Sequence, residues 1–312
     1  MIYLSCQPAI SRYTWEVEVY LNNFLEMGVN PQSIHVVLGY EPNLKEMPSQ
    51  WLKLQNHFKN VNFFFYPDTR DGSNSYQPSL QAHILEKHWI QNRWLEKEMV
   101  FFHDADFLFT KPFDFTPYLY DAYWYFSDTI SYIGGEYIRS KGERVLEKMC
   151  EVAEIDKQLV LDRQEHSGGA QKLIKYVPYH YWKSVFDTSM KLWEEIPPVS
   201  AEVGKDIENY HPLQHWTMSM WAELWEGWKL GFETRVPKEF NFMFYTNGIK
   251  DWDIFNFFHN AGVTGSNPRQ FFKGSYTNKL PYNDTIEDID NSFAGSKYYE
   301  YMKEVGKKSV LL

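Results

Sequence analysis

The sequence predicts an α/β fold, a mostly parallel central sheet flanked by helices. Three observations predict it. Short apolar runs alternate with amphipathic segments through the first third of the chain. The order that results, β-α-β-α-β-α-β, is that of parallel strands joined by helical crossovers. The last apolar run, Met99-Val100-Phe101-Phe102, opens directly onto His103-Asp104-Ala105-Asp106, and ligands of such sheets bind at the carboxyl ends of the strands.

The elements follow in order. Ile2–Ser5 reads as a first strand. Ile10–Met27, with Trp15, Val17, Val19, Tyr20, Phe24 and Leu25, reads as a helix that ends near Gly28. Ser33–Leu38 is a second strand, Trp51–Phe58 a second helix and Val61–Tyr66 a third strand. Asp68–Ser75 is a polar turn, and Pro78–Arg93 has helical periodicity through Leu80, Ile84 and His88. Met99–Phe102 is the fourth strand, too short and apolar to be a helix of its own. Further on, Ser131–Gly135 reads as a strand and turn. Glu165–Gln171 reads as a glycine-rich turn that opens a helix. Tyr179–Glu195 and His215–Leu230 read as helices, the second stopped by Gly231. Tyr298–Leu312 is a short charged helix or frayed end.

Composition bounds the function. Of 312 residues, 44% are hydrophobic and 18% aromatic, ample for a core. The net charge of −10 and the lack of a Lys/Arg block argue against generic nucleic-acid binding. Cys6 and Cys150 alone make no disulfide framework. No apolar stretch approaches 18 residues, so no membrane span is expected. The N-terminal Met-Ile-Tyr-Leu-Ser-Cys-Gln-Pro lacks a signal-like charged and apolar pair of regions, which predicts a cytoplasmic protein. No Gly-X-Gly-X-X-Gly and no Walker loop occur.

Asp104 and Asp106, two apart at a strand end, repel one another and lose hydration. A hard divalent cation removes both penalties, because oxygen ligands suit Mg²⁺ or Mn²⁺. If the chain stays extended, both carboxylates point to one side. Phe257-Phe258-His259, before the turn at Gly262, fixes a histidine at a strand end, and Mn²⁺ accepts its nitrogen more readily than Mg²⁺ does. Lys273 follows at a distance that lets it neutralise an anion at the same site. Gln171 offers an amide that donates and accepts. His215, Ser219 and Glu223 share a helix face, with Gln214 at its entrance, and Glu223 is a candidate base, nucleophile or orienting group. Gln7, Asp68 and Ser79 follow the first strand, follow the third strand and open a helix. Sheet topology places them to bind a nucleoside, with Tyr76 stacked on its base.

Taken together, Asp104-Ala105-Asp106, Gly168-Gly169-Ala170-Gln171, Trp216 to Glu223 and His259-Asn260-Ala261-Gly262 with Lys273 resemble the GT-A nucleotide-sugar glycosyltransferases. Thr110-Lys111-Pro112 and Trp216…Ser219-Met220-Trp221-Ala222 narrow the resemblance to the hydroxyproline O-arabinosyltransferase and peptidyl-serine galactosyltransferase group. The Asp-X-Asp of haloacid-dehalogenase-type phosphatases runs into a small Gly-Thr or Gly-Val turn, whereas Phe107-Leu108-Phe109 follows here.

The resemblance implies a GT-A (Rossmann-like) catalytic domain over residues 1–312. Residues 1–115 would be its nucleotide-binding half, 116–290 its acceptor-binding half and 291–312 a tail. It implies a hexosyl- or pentosyltransferase that uses a UDP-sugar with Mn²⁺ (or Mg²⁺), with retention. Asp104, Asp106 and His259 would hold the metal. Asp104 and Lys273 would meet the donor's diphosphate, and Gln171, Glu223 and Lys273 would serve catalysis. Without an expected secretory anchor, a bacterial or phage enzyme fits better than a secretory one. The acceptor hydroxyl would belong to a glycan, a peptide or a hydroxymethylated base of phage DNA. An inverting route would need a carboxylate base such as Glu223 or Glu208. A non-catalytic sugar- or nucleotide-binding protein of the same fold is the alternative from another class.

Overall fold

A computed structural model describes residues 1–43, 46–71 and 76–312. In chain order its first elements are β1 (Ile2–Pro8), α1 (Ser11–Glu26), β2 (Ile34–Tyr40), α2 (Ser49–His57), β3 (Asn62–Pro67) and α3 (Ser79–Gln91). Then come β4 (Met99–Phe102), β5 (Phe107–Phe109), β6 (Trp124–Asp128), α4 (Ile130–Ile133), α5 (Gly135–Ser140), α6 (Glu143–Ala153) and α7 (Lys157–Asp162). They are followed by β7 (Gly168–Lys175), α8 (Tyr179–Gly204), α9 (Met218–Lys229), β8 (Thr234–Arg235), β9 (Phe242–Phe244), β10 (Phe257–His259) and α10 (Gly295–Gly306).

The architecture is mixed α/β, with seven strands of a mostly parallel central sheet flanked by helices. The chain forms two compact units, each built from separated segments. The first comprises Met1–Pro67, His103–Pro117 and Glu239–Leu312, and the second Asp68–Phe102 and Tyr118–Lys238.

In the first unit β1 pairs in parallel with β2, and β2 with β3. β2 is buried over Ile34–Gly39, the continuous apolar run of a strand covered on both faces. α1 buries Trp15, Val17, Val19, Tyr20, Leu21 and Phe24. It stops at Gly28, whose φ of +84° only glycine adopts without strain. The Val29 N–H then donates to Phe24 O at 2.9 Å, closing the helix end. A second sheet has β10 antiparallel to β5 and parallel to β9. The expected C-terminal helix is α10, followed by a buried Leu311.

In the second unit β7 runs antiparallel to both β4 and β6, and β8 is parallel to β6. Four expectations need correction here. The glycine-rich turn is strand β7, because its glycines serve close approach rather than turning. A Cβ on Gly168 would lie 2.3 Å from Phe126 Cβ, and one on Gly169 2.4 Å from Met220 Cε. Ala170, at φ +55°, falls where the β6–β7 register shifts. Ser131–Gly135 is not a strand but part of α4 and α5. The Asp128 carboxylate accepts from Ile130 N at 3.1 Å, and Thr129 O from Tyr132 N and Ile133 N, which turns a β-prone tripeptide into a helix. α8 extends past Glu195 through Pro197 and Pro198 to Gly204. Its face continues in the buried Ile196 and Ser200, so packing outweighs the two lost N–H donors. The helix expected from His215 begins with a 3-10 turn, His215–Thr217, before α9. Residues 72–75 of the expected polar turn lie outside the described residues.

Candidate metal and anion site

The site is built in the first unit by the chain from His103 into β5. The His103 N–H donates to Leu4 O of β1 at 3.0 Å. Its ring is fully buried against Tyr20, Phe24 and Phe107, with centroids 4.9, 4.7 and 5.4 Å away. Burial lowers its pKa to about 4, so it is a neutral packing group that anchors the backbone. Ala105 and Asp106 form a turn rather than the extended segment expected. The turn hands the chain to β5, whose three residues are all buried.

β10 then brings the histidine. His259 pairs with Phe107, one residue past the turn, and the Asn260 N–H donates to Asp106 O at 3.0 Å. His259 Nε2 lies 3.2 Å from Asp106 Oδ1 and 3.4 Å from Asp104 Oδ2. One ligand atom from each of Asp104, Asp106 and His259 lies within 4.8 Å of the others. Lys273, in a 3-10 turn after Phe272, is ion-paired through Nζ with Asp106 Oδ2. Asp106 is buried and Asp104 reaches the surface.

The charges settle one another. Burial alone would raise the Asp106 pKa. Lys273 and then His259 overcome it and hold the carboxyl well below the usual range. Burial would lower the pKa of His259 and Lys273, but the facing carboxylates raise both. The donor set, two carboxylates and one imidazole, is that of a Mn²⁺-type site. His259 Nδ1 is buried with no hydrogen-bond partner, and Nε2 is the ring nitrogen that faces the two carboxylates. The residues therefore fit a divalent cation.

Sequence reasoning missed two neighbours in the first turns of α1. Arg12 Nε faces Glu16 Oε1 at 3.5 Å, and Glu16 is 1% exposed. Burial pushes the Glu16 carboxyl up to about 7, against the pull of Lys273 and Arg12 and with a push from Asp106. The available signal was an acid four residues before the buried Tyr20 and seven before the buried Asn23, on one helix face.

The other expected residues lie elsewhere. In the first unit Gln7 is buried at the end of β1, and neither of its amide atoms has a partner. In the second unit Asp68, Tyr76 and Ser79 gather around Arg70. Arg70 donates twice to Asp68, at 3.0 and 2.9 Å, once to Ser79 Oγ at 2.9 Å and once to Tyr76 O at 3.2 Å. The Tyr76 ring is stacked on Trp193 at 4.7 Å and is 1% exposed. Its hydroxyl donates to Trp216 O and accepts from Ser219 N, both at 2.8 Å. The ring is thus used in packing and offers no free face to a base. Gln171 accepts from Ser127 Oγ at 3.1 Å, and its Nε2 has no partner. Glu223 is buried in an ion pair with Lys172, whose ammonium also sits 4.4 Å from the Phe102 ring centroid. Ser219 is buried, His215 half-buried and Gln214 exposed.

No protein-family model matches this sequence, and no curated protein matches it. Solved structures do resemble the fold. The WbbM bifunctional glycosyltransferase aligns at 9% identity and a TM-score of 0.49, over 99% of this chain and 50% of that one. This chain therefore spans about half the length of that structure. The galactosyltransferase LgtC, solved with donor and acceptor sugar analogs, aligns at 10% identity and a TM-score of 0.45, over 97% and 96% of the two chains. Mouse xyloside xylosyltransferase 1 aligns at 9% identity and a TM-score of 0.42, over 84% and 99%.

Proposed function

We propose that this chain is a metal-dependent glycosyltransferase of the GT-A type that moves a sugar from a UDP-sugar to a hydroxyl acceptor. One observation carries the reading: Asp104, Asp106 and His259 converge within 4.8 Å with Lys273 beside them. Bound there, Mn²⁺ supplies Lewis-acid stabilisation of a departing diphosphate. The rest is the work of the chain's own residues. Asp104, Asp106 and His259 hold the cation, and Lys273 adds an ammonium for the charge that develops on the leaving group. Gln7, with an unpartnered amide one residue before the end of β1, is the group proposed for the nucleoside. Gln171 keeps an unpartnered amide nitrogen suited to a sugar hydroxyl.

Retention of configuration suits the acids present. Glu223, a candidate base of an inverting route, is held by Lys172, and an ammonium on a carboxylate disfavours its taking a proton. Glu208 is exposed. In a retaining route the leaving phosphate oxygen takes the acceptor's proton, and no carboxylate base is needed. No helix among the described residues is long and apolar enough to cross a membrane.

The test is a thermal-shift panel of nucleotide sugars, each with Mn²⁺ or with EDTA. A ligand at a hundredfold excess over its Kd stabilises the native state by about 2.7 kcal/mol. A Mn²⁺-dependent shift with a UDP-sugar is the expected result. No shift with any nucleotide sugar, in folded protein, removes the transferase reading.

A further inference from the structure

Strand β7 breaks its pairing with β6 at one place. Phe126 pairs with Lys172 and Ser127 with Gly169, so Ala170 and Gln171 stand opposite no residue of β6. Bulges of this kind bend a strand and re-aim a side chain. Here that side chain is Gln171. The Ser127 hydroxyl donates to its Oε1 at 3.1 Å, and its Nε2 is buried with no partner among the described residues. Turning the amide over would not mend this. Ser127 would then lose the acceptor of its own proton, and a buried donor without an acceptor is strongly disfavoured. The bond to Ser127 thus fixes which end of the amide is spare, the NH2 group.

A second spare group lies beside it. Thr129 is buried just before α4, yet its hydroxyl caps no helix N–H and has no partner among the described residues. Its Oγ1 lies 3.1 Å from where a Cβ on Gly169 would stand, and Gly169 is the cross-strand partner of Ser127. Side chains of directly paired residues share one face of a sheet, so both spare groups belong to the face of Ser127. Over Gly169 lies the end of a flexible side chain. The same Cβ would meet Met220 Cε at 2.4 Å, and Met220 is half-buried. Lys172, next along β7, is ion-paired with Glu223, so the group presents no net charge to a ligand.

We propose that Thr129 and Gln171 form a subsite for the hydroxyls of a saccharide, with Ser127 as its positioning residue and Met220 as its cover. Gln171 Nε2 donates to one ligand oxygen, and Thr129 Oγ1 exchanges a hydrogen bond with another. Neighbouring hydroxyls of a sugar ring present such oxygens in pairs and carry no charge. Ser127 touches no ligand; it keeps the amide from turning. The inference rests on the transferase reading above and adds to it Ser127, Thr129 and the uncharged character of what they hold. Hydroxyls of this kind belong to the donor's sugar and to a saccharide acceptor alike, and the two sources separate by experiment.

Calorimetric titration with Mn²⁺ present gives the Kd of UDP, UDP-glucose, UDP-galactose and UDP-xylose. UDP release gives the KM of the methyl glycosides of glucose, galactose and mannose as acceptors. Wild type, Ser127→Ala, Ser127→Thr and Thr129→Val are compared, each shown to be folded by circular dichroism. Ser127→Ala and Thr129→Val should leave UDP within about twofold and weaken a saccharide about fivefold, the worth of one hydrogen bond. A weaker UDP-sugar Kd identifies the donor's sugar, and a raised KM alone identifies the acceptor. Ser127→Thr keeps the hydroxyl and should stay near wild type. Thr129→Val removes an unpartnered buried hydroxyl and keeps its shape, so without ligand its Tm should equal or exceed that of wild type. A hydroxyl with a merely structural role would lower Tm when lost. Saccharide constants within about twofold of wild type in either variant, or a lower ligand-free Tm for Thr129→Val, overturn the subsite. Failure of the transferase reading appears in wild type instead, as no binding of any UDP-sugar and no UDP release. The Thr129→Val melt still decides then whether that hydroxyl is spare.

Discussion

Asp106→Asn removes the charge that holds Lys273 and leaves that ammonium facing a neutral amide. Breaking a fully buried ion pair from one side costs about 3–5 kcal/mol. Lys273 is 25% exposed and Asp106 5%, so water recovers part of this, and we expect a loss of about 2–3 kcal/mol. For 312 residues unfolding as a unit, that loss lowers Tm by about 3–5 °C. The assay is thermal unfolding in EDTA at pH 7, which takes metal binding out of the comparison. Lys273→Met added to Asp106→Asn should restore most of the loss, because it removes the orphaned charge. The pH dependence has a definite sign. The folded pKa of Asp106 lies below its unfolded value near 3.8. Its contribution is therefore fully present above that unfolded value and is lost as pH falls through the folded one. The gap between wild type and Asp106→Asn should narrow as pH rises through the raised pKa of His259, which Asp106 helps to hold up, and should close again in strong acid. A loss under about 0.5 kcal/mol, or a double variant no more stable than the single one, would refute a buried pair whose partner is stranded by the change.

Glu16 should show the opposite pH sign. Its folded pKa, near 7, lies above the usual 4.5, so the folded state binds this proton more tightly than the unfolded one does. Stability is then greatest below the unfolded value and falls as pH rises from there to about 7. Between pH 5 and 8 wild type should lose on the order of 1–3 kcal/mol relative to Glu16→Gln in EDTA; parallel curves would mean that the acid is not buried. Tyr76→Phe removes a hydroxyl that makes two hydrogen bonds inside the second unit and should cost about 1–2 kcal/mol in urea unfolding. Unchanged stability with weakened nucleotide binding would instead put that hydroxyl on a ligand. Gly168→Ala drives a Cβ to 2.3 Å from Phe126 Cβ and 2.8 Å from Ser127 O, at a cost of about 1–3 kcal/mol. Gly28→Ala meets nothing within 4 Å and strains only its φ of +84°, so it should cost about 1 kcal/mol. The reverse order of Tm would contradict the packing assigned to β7.

The sequence showed the first strands and helices because each has its own period and its own stop signal. β4 matches its expected span, and α1 ends one turn residue before Gly28. The glycine pair at 168 and 169 misled because glycine has two uses, freedom in φ and absence of a Cβ, and one letter serves both. Only Phe126 and Met220 across the gap show which use applies. α8 misled in the other direction. The rule that proline ends a helix is local, while the apolar face that carries the helix past Pro197 and Pro198 is held by its neighbours.

The same division runs through the candidate site. Asp104, Asp106 and His259 were legible because each stands where an apolar run meets polar chain, a contrast visible within a few residues. What balances their charge was not legible. Arg12 and Glu16 stand four apart on a helix, the spacing of an ordinary solvated pair, and nothing within α1 names Lys273 as their neighbour. With it, cations and anions alternate: Arg12, Glu16, Lys273, Asp106, then His259. Each buried charge in that series has an opposite on at least one side, as buried charges require. The groups that balance the candidate site's charge therefore come from segments that no ligand-spacing rule would select.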